Sequence, residues 1–321
     1  VALLSVIAQA NRFRQYNPRD MPFYLGCPLW GQRSWVGRFF PPQTKPKDFL
    51  FVYSRRLNAV EGNTTFYALP DAETVTRWRE ATPPGFKFCL KLPRIISHQK
   101  QLRGCQPETE TFIERLRLLG DRCGPALLQL PPSFGPQQLD CLSKWLETWP
   151  ADLRLAVEPR HTGFFGSHEA AFDALLRQHN AARCTFDTAP LFSADPAQPA
   201  VAEAQARKPR WPARYTRTAT FAFVRYAGHP NIQANHAWLA PWVVRISEWL
   251  ANGSDVFFFV HHPDDTFAPD LARYVCALLT QYAPRSYADV PPAQHVLHDA
   301  CRAAGIQTLW QIRLDSSGQE L

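Results

Sequence analysis

Eight short apolar runs, each closed by a polar or proline-rich patch, constrain this chain more than any other feature. They are "FYLGC" from Phe23, "AVEGN" from Ala59, "FKFCLKLP" from Phe86, "PALLQLP" from Pro125, "LRLAVEPR" from Leu153, "ARCTFDT" from Ala182, "FAFVRYAG" from Phe221 and "DVFFFVHHP" from Asp255. They recur at roughly 27 to 40 residues, the length of one strand-plus-helix unit. Eight strands alternating with helices predict an α/β chain folded as a TIM-like (β/α)8 barrel in a single domain. The alternative is a doubly wound parallel sheet. No GxGxxG or GxxxxGK[ST] follows any run, which weakens the nucleotide-binding form of that alternative.

Helical periodicity fills the gaps. Asp71 is a predicted N-cap, with acidic residues in the turn that follows. The stretch from Pro107 puts Phe112, Leu116 and Leu119 on one side. Further helical patterns start at Pro136, Ser167 and Ala268. The stretch from Asn235 lines up Leu239, Trp242, Val243, Ile246 and Leu250, stops at Gly253, and requires Pro241 in its first turn. The barrel is expected over 23–282, between an N-terminal extension, 1–22, and a C-terminal one, 283–321.

At 321 residues the chain can bury a large core, and 45% hydrophobic with 20% charged residues is a globular composition. The net charge of +7 favours anionic partners. The 8 cysteines form no CxxC pair, and Cys27, Cys89 and Cys184 lie in apolar runs. Buried free thiols and a reducing, cytoplasmic setting follow. "VALLSVIAQA" at the start is too short for a membrane span and has no basic region before it, so neither a signal peptide nor a membrane segment is expected.

In a barrel the site lies at the C-terminal strand ends, and polar residues gather there. Glu61 and Asn63 end the second run on one face. Lys91 ends the third and Gln129 the fourth. Glu158 and Arg160 share a face in the fifth, followed by His161. Asp187, Arg225 and His261 end the last three. Trp30 and Tyr67 follow the first two runs, and Ser97-His98 follows the third. Charges inside apolar strands are costly unless paired or hydrated. Glu61, Glu158 and Asp187 balance Lys91, Arg160 and Arg225, as a converging ion network would require. The competing reading is a network that only holds the barrel top together.

His261-His262 with Asp264 and Asp265 raises a divalent metal as a weaker alternative, in which His261, Glu158, Asp187 and Glu61 would converge. The nearby arginines compete for those carboxylates, so no metal ligands and no cofactor are assigned. No GxSxG occurs, and Ser97-His98 reads as a turn more readily than as a catalytic unit. The stretch "ARKPRWPARYTR" interleaves Arg207, Lys208, Arg210, Arg214 and Arg217 with Trp211 and Tyr215. That mixture suits phosphate contact and base stacking, and equally a solvated basic loop.

"AVEGNTTFYALP", "WREATPPGFKFCLKLPRIISHQ", "LLQLPPSFGP", "AVEPRHTGFF", "FVRYAG" and "FVHHPDDTFAP" resemble, in order, the YecE-like family, domain of unknown function 72. The resemblance runs from about Gly26 to about Leu279. It implies a TIM-like barrel and a bacterial, cytoplasmic type of protein. It matches the family pattern at Glu61, Asn63, Thr65, Phe66, Tyr67, Lys91, His98, Gln129, Pro131, Glu158, Arg160, His161, Asp187, Arg225 and Gly228. The chain departs at Ala227, where many members have His, and at "VHH", where many have paired Asn.

Four functions compete. One is an enzyme acting on a small phosphate- or carboxylate-bearing compound. Glu158 or Asp187 would be its acid/base, His261 a second proton-transfer group, and Glu61 part of the same machinery. Lys91, Arg160 and Arg225 would hold the anion, with Asn63, Tyr67, His98, Gln129 and Trp30 around the substrate. The others are a nucleic-acid-binding or nuclease-like barrel using the basic loop, a metal-dependent hydrolase or isomerase, and a non-catalytic ligand binder.

Overall fold

The computed structural model describes residues 23–211 and 213–281. The two expected extensions, and Tyr282 at the barrel's predicted end, lie outside the described residues.

All eight runs are strands: β1 (Phe23–Cys27), β2 (Ala59–Gly62), β3 (Lys87–Leu90), β4 (Ala126–Gln129), β5 (Leu155–Glu158), β6 (Ala182–Asp187), β7 (Phe221–Ala227) and β8 (Asp255–His261). They form one parallel sheet in the order β3-β2-β1-β8-β7-β6-β5-β4. Its two ends meet through isolated parallel bridges, Phe88 with Cys123 and Lys91 with Leu127. Leu92 N donates to Leu127 O at 2.9 Å and Gly124 N to Phe88 O at 2.9 Å across this seam. The result is a nearly closed (β/α)8 barrel.

The described helices are α1 (Phe49–Tyr53), α2 (Ala72–Ala81), α3 (Gln106–Leu118), α4 (Leu139–Thr148), α5 (Glu169–Gln178), α6 (Ala189–Phe192), α7 (Pro199–Arg207), α8 (His236–Ala251) and α9 (Ala268–Gln281). Asp71 caps α2 by accepting from Thr74 N at 2.7 Å. Phe112, Leu116 and Leu119 are buried, as is the whole apolar stripe of α8. Gly253 ends that helix with φ +74°, a conformation that suits glycine. Two details differ from expectation. Pro241 lies inside α8 and not in its first turn, because the helix already begins at His236. The segment between β6 and β7, read from sequence only as a long loop, contains α6 and α7 before its basic stretch.

Period two sorts each strand. Residues facing the helices join the main core. Those facing inward form a separate cluster, with Phe221, Phe223, Phe257 and Phe259 against Ala59, Ala156, Ala182 and Cys184. Four large rings opposite small side chains fill the lower barrel. Gly26 belongs to this fit, since a Cβ there would collide with the Ala59 carbonyl oxygen and touch the Phe259 ring at 3.0 Å. The lower barrel is therefore a packed plug, and the charged inward side chains lie in the layer above it.

Candidate functional site at the barrel mouth

That last layer is polar because the inward positions of β2, β5, β7 and β8 end on Glu61, Glu158, Arg225 and His261, all buried. Arg225 lies between the two carboxylates. Its Nη2 donates to Glu61 Oε1 at 2.7 Å, its Nε to Glu61 Oε2 at 2.8 Å, and its Nη1 to Glu158 Oε2 at 2.6 Å. Glu61 Oε1 also accepts from Asn63 Nδ2 at 2.7 Å, and His261 Nε2 approaches Glu61 Oε2 at 3.3 Å. The second oxygen of Glu158 pairs with Arg160 Nε. Arg160 Nη2 reaches Gln129 Oε1 at 3.2 Å, which also accepts from Lys91 Nζ at 2.9 Å. The Lys91 ammonium rests on the Phe66 ring at 4.1 Å. Phe186 carries Arg225 at 4.5 Å and Arg160 at 5.2 Å.

The run that ends β2 is explained by this layer. Glu61 and Asn63 point into the network. Thr65, one turn on, is buried, and its hydroxyl meets the carbonyls of Gly62 at 3.0 Å and Lys91 at 2.6 Å, tying the ends of β2 and β3 together. Phe66 then supplies the ring under Lys91.

Burial alone would raise both carboxylates; the guanidiniums reverse this. Desolvation is the largest influence on Glu158, yet Arg160, Arg225 and Lys91 bring its pKa down to about 2. Glu61 is likewise held well below the carboxylate range by Arg225 and His261 against its burial. Burial pushes His261 below the usual imidazole range, with Glu61 opposing and Arg225 adding to the shift. Burial, then Arg225, lower Lys91 to about 8. Burial, then Lys91, lower His98 to about 4. The Cys184 thiol, 3.8 Å from Glu158 Oε2, is pushed well up by burial and is held protonated.

Not every predicted residue joins. Asp187 faces the helix layer, where it accepts from Trp242 Nε1 at 2.7 Å and Ala189 N at 3.1 Å. The inward residue at that level is Phe186. Counting by two from Ala182 and Cys184 would have found it. Trp30 packs edge-on against Trp78 and Phe88, among core residues. Tyr67 is 81% exposed and lines an outer groove with Arg94 and Glu108. His98 lies edge-on to Phe66 within a single π-helical turn, Ile95–Gln99, its Nδ1 2.9 Å from Ser97 Oγ. The four side chains considered for a metal do not converge. Arg225 separates Glu61 from Glu158, and Asp187 points away. Among the described residues no group of three His, Cys, Asp or Glu side chains is arranged as metal ligands.

The basic loop divides. Arg207 pairs with Glu203 on its own helix, Arg214 Nε with Glu169 Oε1 at 2.6 Å, and Arg217 with Ser254 Oγ. Arg210 covers the Phe192 ring at 5.6 Å. Lys208 lies close enough to the mouth to feel Arg225 and Arg160. It is half-buried, and its pKa is lowered by burial, with Asp265 opposing and Arg225 and Arg160 adding to the effect. No carboxylate among the described residues pairs with it. Lys208 and Arg160, with His161 and Trp211, line a groove of about 500 Å³.

The expected buried, unpaired thiols Cys27, Cys89 and Cys184 are free and buried. Among the described residues no helix is long and apolar enough to cross a membrane.

Comparison with known proteins agrees with this geometry. The model of a family described as "Protein of unknown function DUF72" matches residues 24–295. The UPF0759 protein YecE of Escherichia coli is 36% identical over 252 residues, 78% of this chain and 90% of that protein. The UPF0759 protein YunF of Bacillus subtilis is 25% identical over 150 residues, 44% of this chain and 52% of that one. Among solved structures, a DUF72 family protein from Thermotoga maritima superposes with a TM-score of 0.61 at 21% identity, covering 78% of this chain and 96% of that one. One from Enterococcus faecalis gives 0.60 at 18% identity, covering 84% and 98%. At those identities the two structures speak for the fold alone. With its barrel and with the span and identity of these matches, the chain belongs to the DUF72 family.

Proposed function

We propose that this protein takes a small anionic compound, bearing a phosphate or a carboxylate, at the C-terminal mouth of its barrel. The observation that carries this reading is a charge imbalance. Lys91, Arg160 and Arg225 face Glu61 and Glu158, and Lys208 adds a further cation above them, near enough to Asp265 to feel it but not paired with it. Lys91 has a neutral amide oxygen and an aromatic face as partners, and no carboxylate. Buried positive charge without a counter-ion is costly, and a bound anion offsets that cost.

The same layer suits proton transfer, with roles different from those the sequence suggested. Glu158 and Glu61 are held ionised far below neutral pH, so neither serves as a general acid there. Lys91, at about 8, changes charge near working pH and is the better proton-transfer group. Glu61, Glu158 and Arg225 then act as a fixed frame that orients Arg160 and sets the field around Lys91.

A thermal-shift series with inorganic phosphate, phosphate monoesters and carboxylates tests the reading on wild type and on a Lys91→Met/Lys208→Met variant. A ligand that binds only the folded state stabilises it by about 2.7 kcal/mol at a hundredfold excess over Kd. Wild type should respond and the variant should not. Equal shifts in both proteins, or no shift with any anion, would reject the mouth as an anion site.

A further inference from the structure

Beside the central network lies the groove between the β5 loop and the segment after α7, and it has a chemistry of its own. Its polar lining residues are Arg160, His161, Thr162, Arg207, Lys208 and Trp211, and no acidic side chain lines it. Each donor there has capacity to spare. Arg160 uses Nε and Nη2 on Glu158 and Gln129. His161 Nδ1 accepts from Gly163 N at 3.0 Å, which leaves Nε2, on the side of Gly135, as the ring's donor. Lys208 has no carboxylate partner among the described residues. Trp211 Nε1 is buried and has no hydrogen-bond partner there either, while the indole is held flat against Phe165 at 4.8 Å and 14°.

We infer that this groove is the seat of a phosphate monoester, its phosphate held by Arg160, His161 and Lys208 and its organic part lying along Trp211, Pro132 and Pro209. The inference rests on the anion-binding reading above and narrows it from any anion to a phosphate ester at a defined place. A carboxylate has two coplanar oxygens, which one guanidinium fork already satisfies. A phosphate monoester presents three acceptor oxygens and nearly two charges, and suits donors converging from several elements. Here they come from the β5 loop and from the end of α7 together. The groove's volume falls in the range of small-molecule sites. Arg160 bridges it to Gln129 and thence to Lys91, so the organic part can extend toward the mouth.

Titration calorimetry with phenyl phosphate and with benzoate decides it, on wild type and on Lys208→Met, His161→Phe and Lys91→Met. Wild type should bind phenyl phosphate at least about tenfold tighter than benzoate, and Lys208→Met and His161→Phe should each weaken it about tenfold or more. Lys91→Met should weaken it less. If Lys91→Met abolishes binding while Lys208→Met and His161→Phe bind as wild type does, the groove assignment is wrong and the mouth reading stands. Equal affinity for benzoate overturns the phosphate assignment. Failure of wild type to bind either compound overturns the groove and the mouth reading together. Circular dichroism of His161→Phe separates misfolding from lost contact, and Lys208→Met, at a half-buried position, carries the test if that variant is unfolded.

Discussion

Two buried arginine clusters sit on opposite faces of the same barrel wall. Outside it, between β6 and α5, Arg183 donates to Asp173 Oδ1 at 2.6 Å and to Phe164 O at 2.8 Å, and Arg214 pairs with Glu169. Two guanidiniums at least half-buried meet two carboxylates there, roofed by Phe165 and Phe172, and a third, on the exposed Arg177, comes no nearer than 4.0 Å to Asp173. Inside, three cations meet two carboxylates, with Lys208 above. The residue types and the aromatic cover are alike; the balance among the buried charges differs. A balanced pair locks a helix to a strand and asks for nothing more. The inner cluster keeps its surplus near the open end of the barrel, and on the proposed reading it is the site and the outer one a strut.

The largest effects should come from breaking each cluster at its centre. Arg225→Met leaves two carboxylates buried and unpaired and should cost about 3–5 kcal/mol in urea unfolding. Arg183→Met should cost a similar amount. The comparison sharpens with the second partner removed. Arg183→Met/Asp173→Leu should recover most of the loss, because an apolar pair can replace a balanced ion pair. No such recovery is expected from Arg225→Met/Glu61→Leu, since Glu158 stays behind.

Acid should act next. The folded pKa of Glu158, about 2, lies below its unfolded value of 4.5. Its stabilisation is therefore complete above the unfolded value and disappears as pH falls from about 4.5 to about 2. That loss is on the order of 3 kcal/mol. Denaturation curves across this range should flatten in Glu158→Gln, which starts from a lower stability. An identical acid slope in both proteins would mean that Glu158 is not the group held down.

Lys91 should behave in the opposite way. Lys91→Met removes a cation that is buried with no carboxylate in contact and feels Glu158 and Glu61 only at a distance, so stability should stay level or rise by about 1 kcal/mol at pH 7. The folded pKa of about 8 lies below the unfolded 10.5, so the unfolded chain binds the extra proton between them. Wild type should gain stability over that window relative to Lys91→Met, and its anion affinity should fall as pH passes about 8. A destabilised Lys91→Met would place Lys91 among the struts.

Asp187→Asn should have the smallest effect. The amide oxygen can still accept from Trp242, so stability should change by less than about 1 kcal/mol and anion binding not at all. A lost ligand response in this variant would return Asp187 to the site.

The contrast between the clusters also shows what a sequence can disclose. Strand positions were legible because each run is apolar, short and closed by Pro, Gly or a charge. Glu61, Arg225, Glu158 and Arg160 could be brought together by period two and barrel closure alone. The same period was misapplied to Asp187. In "ARCTFD" the inward residues are Ala182, Cys184 and Phe186, whereas Arg183, Thr185 and Asp187 face helices, each with its own partner. A polar outward face looks like a site until those partners are known. Phe186 escaped notice, and Phe66 entered only through the family resemblance, because aromatic residues near strand ends are common and only the cations stacked on them give them a role. Which basic residue of the loop reaches the mouth depends on how α6 and α7 return the chain toward β7, and no periodicity encodes that path.

The most direct test titrates inorganic phosphate, by calorimetry, into wild type, Lys91→Met/Lys208→Met and Arg183→Met/Asp173→Leu. The account predicts binding to wild type and to the protein without its outer pair, and none to the protein without its inner surplus, although that protein is folded and at least as stable. Phosphate bound as well by the inner double variant as by wild type, or lost only with the outer pair, would contradict it.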